Sequence, residues 1–177
     1  MKTIFRLLSM MAVVSLFLVS ACGDDDSEPE VDPLIGIYSL NSVILNEDVT
    51  YYDMELMADE NITTLVAEQL YVASPCDNGP NTVIDLRENF EIFYACKNES
   101  TPSERFGTWS ITENRNRLTL NLIIQDQAFP LILDQLVVSE TGVSGVVTNY
   151  PLVEIYPDNS FVIKTVSIDI VFNRTTL

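Results

Sequence analysis

Three cysteines, 26 acidic side chains and no histidine define the chemistry open to this 177-residue chain. Without an imidazole there is no His-activated nucleophile, no His metal site and no proton shuttle tuned near neutral pH. A Gly-x-Ser-x-Gly elbow, a phosphate-binding glycine loop and a dinucleotide fingerprint are all missing as well. Paired carboxylates can hydrolyse a glycoside, but no two acids here are set apart by their sequence surroundings. The expectation is therefore a protein that is not an enzyme and uses no cofactor or metal, with a hydrolase as the lesser alternative. Asp77, Asn78, Gly79 and Pro80, like Tyr156 to Ser160, lack the order of a calcium loop and read as turns. A net charge of −17 repels nucleic-acid phosphates, so no nucleic-acid partner is expected.

The elements that must carry this chemistry begin with a leader. Lys2 and Arg6 form a short positive segment ahead of Leu7 to Ser20, whose roughly 14 residues would span only about 21 Å as a helix. That falls short of a bilayer core and fits an export signal over residues 1–21. The segment ends Val19, Ser20, Ala21, Cys22, which resembles the lipobox of bacterial lipoproteins. The resemblance implies that Cys22 becomes the first mature residue and carries a diacylglycerol, so that the chain's membrane partner is reached through acylated Cys22. Two or three acyl chains anchor stably where one does not.

Residues 22–33 follow as an acidic tether, with Asp24, Asp25, Asp26, Glu28, Glu30 and Asp32 and two prolines keeping it extended. An acidic run this close to the acylated cysteine also looks like the surface-export signal of lipoproteins from the Bacteroidota. It implies an outer-membrane protein exposed at the cell surface, the alternative being one that faces the periplasm. With Cys22 assigned to the anchor, Cys76 and Cys96 remain. In an oxidising compartment they are expected to form a disulfide, which stabilises by roughly 3 kcal/mol on the chain-entropy model.

From residue 34 to 177 the chain alternates Val, Ile, Thr and aromatics with polar residues in short runs, the period of antiparallel strands. Thr82–Leu86 and Phe90–Cys96 read as a hairpin. Its turn is Arg87, Glu88 and Asn89, with Asn89 at positive φ and Ile84 beside Ile92. Arg105–Thr112 and Arg117–Ile124 form a second hairpin, aligning Trp109 and Ile111 with Leu118, Leu120 and Leu122. Leu131–Val138 and Val143–Asn149 form a third. The last strand, Phe161–Asn173, turns Val166, Ile168, Ile170 and Phe172 inward. With Gly36–Leu45 this makes eight strands, and Val49–Leu56 is a candidate ninth. Between Asp59 and Ala73 the residues Ile62, Leu65, Val66 and Leu70 recur at helical spacing, with Asp59 or Asn61 as N-cap. The expected fold is all-β, an eight-stranded up-and-down antiparallel barrel with one short helix after the first strands, since closure removes exposed edges.

The run Leu34, Ile35, Gly36, Ile37, Tyr38 resembles the opening of lipocalin-like lipoproteins of the Bacteroidota, where glycine, any residue and an aromatic start the first strand. Tyr38 stands where lipocalins usually carry Trp. Pro75 and Cys76 ahead of a hairpin, Gly107-Thr108-Trp109, and a last strand ending Phe172-Asn173-Arg174 agree in order over residues 34–174. The resemblance implies that Gly36, Tyr38, Trp109 and Arg174 are scaffold, with Arg174 lying over the Tyr38 ring. It also implies a small apolar or amphipathic ligand in the barrel, for which a chamber of about 300 Å³ is needed. The rival expectation is a packed barrel that meets a protein or glycan partner. Tyr51 and Tyr52 are the candidate ligand contacts, whereas Trp109 and Tyr94 fall on apolar faces and read as core.

Overall fold

The computed structural model describes residues 31–76, 79–98, 102–124 and 127–177. Cys22 and the leader lie outside the described residues, as do Asp77 and Asn78. Among the described residues ten strands form: β1 (Gly36–Leu45), β2 (Val49–Tyr51), β3 (Met54–Leu56), β4 (Thr82–Leu86), β5 (Glu91–Cys96), β6 (Glu104–Ile111), β7 (Arg117–Ile124), β8 (Gln127–Ser139), β9 (Gly142–Ile155) and β10 (Phe161–Thr175). Eight of them close into an antiparallel barrel in the order β1-β10-β9-β8-β7-β6-β5-β4. This is the fold class expected from the alternation.

Val49–Leu56 does not supply a ninth barrel strand. Tyr52 and Asp53 both take positive φ, 47° and 63°, which folds the segment tightly back on itself as a separate two-stranded ribbon, β2 with β3. The helix, α1, is shorter than its periodic pattern and runs Thr63–Leu70. Ile62 occupies the N-cap position, and Asn61 acts from one residue earlier, its Oδ1 accepting from the Thr63 amide at 3.0 Å and the Thr63 hydroxyl at 2.7 Å. Val66 and Leu70 carry the buried face.

Hairpin registers follow the turns. In β6–β7, Trp109 pairs with Leu120 and Ile111 with Leu118, as alternation predicts. In β4–β5 the register sits two residues further on than expected, Leu86 opposite Ile92 and Ile84 opposite Tyr94. The reason is the turn: Phe90, not Asn89, takes positive φ (61°), and the Arg87 amide donates to the Glu91 carbonyl at 3.0 Å, lengthening the loop. A shift of two keeps every side chain on its own face, so the core is unaffected.

Bulges bend the strands into closure. One between Leu40 and Ser42 moves the inward phase of β1 from Tyr38 to Val43 and Leu45, and another in β9 moves it from Val147 to Tyr150 and Leu152. The described residues include the end of the expected tether. Asp32 is docked there, accepting from the Leu34 amide and paired with Arg115 at 2.7 Å.

Candidate functional site

Among the described residues the barrel interior is packed with apolar side chains. Tyr38, Ile84, Leu86, Leu118, Leu120, Val143 and Phe172 leave about 10 Å³ among them, room for one water at most. Above them Tyr94 stacks on Phe106 with ring centres 3.6 Å apart and donates from its hydroxyl to the Leu70 carbonyl, joining the core to the end of α1. These inward side chains leave no chamber of the expected 300 Å³ among them.

A cleft opens instead in the barrel wall. β1 and β4 pair only from Gly36 opposite Leu86 to Tyr38 opposite Ile84. Further along the same edge of β1, the segment before α1 takes over. The Val43 amide donates to the Thr63 hydroxyl at 2.7 Å, the Leu45 amide donates to the Glu60 carbonyl, and Ile44 bridges Asn61. Between these two coverings Ser39 and Leu40 face a cleft of about 460 Å³, within the size range of small-molecule sites. α1 forms its roof through Thr64, Ala67 and Glu68, and Tyr71 follows at the helix end. Thr82 of β4 and the turn at Gly79 and Pro80 complete it.

Most polar groups of the cleft are already engaged. Thr82 Oγ1 lies 2.6 Å from Ser74 Oγ, and Thr63 is committed to Val43 and Asn61. The Cys76–Cys96 disulfide, with Cα atoms 5.5 Å apart, ties the segment below Tyr71 to β5. The Tyr71 hydroxyl differs from the rest. It is shut off from solvent, with the Leu40 backbone as the polar group against it and no other hydrogen-bond partner among the described residues. Spacing gave no signal for this site, because it arises where two segments far apart in sequence fail to meet along one edge.

Tyr51 and Tyr52, the sequence candidates for ligand contact, do not line the cleft. Their hydroxyls are spent on the free edge of β9. Tyr51 donates to the Val153 carbonyl at 3.1 Å, and the Tyr52 hydroxyl donates to the Ile155 carbonyl at 3.0 Å while accepting from the Ile155 amide. Tyr52 thus blunts a strand edge that would otherwise template pairing. The ribbon is fastened further by Glu154, which is 1 % exposed. Its carboxylate accepts from Lys164 at 2.9 Å, from the Tyr156 hydroxyl at 2.6 Å and from the Tyr52 amide at 3.0 Å. The Lys164 ammonium first, then Tyr156, then the Tyr52 amide hold that carboxyl down to about 2, and the bond to Glu154 pushes the Tyr156 hydroxyl up to about 12.

The scaffold residues lie at the other pole. Arg174 donates to the carbonyls of Pro33 and Ile35 and to the Tyr38 hydroxyl. Gly36 has φ of 151°, and a Cβ there would stand 3.1 Å from Arg174 Nη1, so glycine permits the approach. Trp109 is core, 3 % exposed, with Nε1 donating to the Arg87 carbonyl at 3.0 Å. Among the described residues no helix is long and apolar enough to cross a membrane, and no group of three or more carboxylates or thiols is placed to hold a metal ion. No family model matches the chain, and neither does a curated protein nor a solved structure.

Proposed function

We propose that this is a non-enzymatic, lipid-anchored envelope lipoprotein whose barrel, lipocalin-like in plan, is a filled scaffold and whose ligand site is the wall cleft beneath α1. The ligand is a small apolar or amphipathic molecule. One observation carries the reading: a cleft of about 460 Å³ beside an interior of about 10 Å³. Acylated Cys22 would hold the domain to the outer membrane, with the acidic run at Asp24 to Asp26 favouring the cell surface over the periplasm. Purifying the protein from its own cells, unfolding it and weighing what is released tests the ligand claim. A small molecule carried by the wild type and missing from Ala67→Trp, which fills the cleft, is the expected result. Identical extracts from both proteins reject it. For the anchor, the mass of the amino-terminal peptide should include two or three acyl chains, and an unmodified Cys22 thiol would rule them out.

A second reading, a packed barrel that meets a protein or glycan partner, is favoured by the far end of the β9–β10 arm. Ile155 and Phe161 are each 65 % exposed there, with Ile163 at 54 %. Along β10 this end lies about 40 Å from Arg174.

A further inference from the structure

The β9–β10 arm has two faces of opposite chemistry. Pro151–Ile155 pair with Thr165–Phe161, and alternation along the strands turns Glu154 and Lys164 to one face, where they bind each other at 2.9 Å. The other face carries Pro151, Val153, Ile155, Phe161 and Ile163 and no charge. Ile155, Phe161 and Ile163 stand mostly in solvent, and a contiguous apolar stripe left uncovered marks a contact surface. The low charge extends down the outer side of β10, where Asp169 is the one ionised group among the outward positions from Phe161 to Thr175. Acids gather on the opposite side. Glu47, Asp48, Asp53, Glu55, Asp59 and Glu60 belong to the β2–β3 ribbon and its flanks, and that ribbon packs on the Glu154 face, the Tyr52 amide donating to Glu154 and Lys164 to the Thr50 carbonyl. Asp158, in the turn beyond the stripe, is spent on the Ser160 amide and hydroxyl.

Two observations name the occupant of this face. The first is size. Five residues on each of two strands make a stripe of about 17 Å by 10 Å, roughly 170 Å², where a stable protein interface takes about 800 Å² from each partner. A second copy or another globular protein finds too little here, whereas side chains entering a lipid layer need no matching surface. The second is where the chain leads. Arg174, near the end of β10, holds the Pro33 and Ile35 carbonyls, and from Val31 back to Cys22 the chain reaches at most about 30 Å. An acyl anchor on Cys22 therefore keeps a bilayer close to the strand whose far end carries the stripe.

We infer that the outer face of the β9–β10 arm is a lipid-contact surface. The barrel lies on its side, with Ile155, Phe161 and Ile163 set into the headgroup boundary of the bilayer that holds Cys22. This rests on the acyl-anchor reading above and adds the orientation of the domain to it. Side-on contact also turns the acidic ribbon away from anionic headgroups, which would repel it.

Brominated lipid chains, which quench tryptophan inside a bilayer, test it. The protein purified from its own cells is reconstituted into dioleoylphosphatidylcholine vesicles with and without brominated phosphatidylcholine. Phe161→Trp, with Ile163→Trp as a second reporter, should lose about half of the emission it adds to that of buried Trp109, as for a side chain at the headgroup boundary. Thr108→Trp, exposed on β6 across the barrel from β9 and β10, should lose none. Adding Ile155→Asp to Phe161→Trp should weaken the quenching, while flotation with the vesicles is unchanged because the anchor remains. Flotation with neither reporter quenched overturns the lipid face and leaves the anchor standing. Equal quenching of Thr108→Trp overturns it too, since the domain would then have no fixed side. Shielding of Phe161→Trp from aqueous iodide without quenching by bromine would place a second copy of the protein over the stripe and overturn the lipid assignment. Protein that neither floats nor is quenched overturns both readings, and quenching retained on a chain with an unmodified Cys22 overturns the anchor and upholds the face.

Discussion

Arg174 Nη2 donates a 2.9 Å hydrogen bond to the Tyr38 hydroxyl while its guanidinium carbon stands 5.4 Å from the centre of the same ring. The contact is thus as much hydrogen bond as cation–π, and the same guanidinium also holds the carbonyls of Pro33 and Ile35. It closes the point at which the chain enters the barrel. Arg174→Ala should cost about 1–2 kcal/mol, because these are charge-assisted bonds at a partly exposed site. The melting temperature should fall by about 3–6 °C, as calorimetry would show. An unchanged melt would reject the clamp.

Glu154 gives stability a pH dependence of known sign. Its folded carboxyl is held down to about 2, below the ordinary 4.5. The contribution is therefore full above pH 4.5 and is lost as pH falls toward 2. Urea midpoints of wild type and Glu154→Gln should differ most near neutral pH, with the gap narrowing across that acid window. A gap that stays constant from neutral pH to the bottom of the window would show that the carboxylate is not the titrating group.

Cys76 and Cys96 close a loop with a sequence separation of 20. Replacing both with Ser should remove about 3 kcal/mol by freeing the unfolded chain, and lower the melting temperature by about 6–12 °C. Alkylation of the unreduced, unfolded wild type should label neither residue. Labelling of both, with no loss of stability in the double variant, is the contrary outcome.

The tether is testable in cells. On the surface-export reading, changing Asp24, Asp25 and Asp26 to Asn should lower cleavage of the protein by protease added to intact cells. Equal cleavage would place the export signal elsewhere.

Alternation of apolar residues was enough to read the barrel, because each strand buries one face and the period of two survives in composition. It also sufficed for the register of Trp109 against Leu120. The β4–β5 register was not legible, since it depends on Phe90 accepting a positive φ that residue type would have assigned to Asn89. Tyr51 and Tyr52 looked free because nothing local engages them, whereas their partners, Val153 and Ile155, lie about a hundred residues on. The cleft was invisible for the same reason. It exists because β4 leaves the edge of β1 after Tyr38 while the segment before α1 joins that edge only at Val43. Local sequence determines which face of a strand is buried; which strand edges meet, and where a gap remains between them, is decided only when distant segments compete for the same hydrogen bonds.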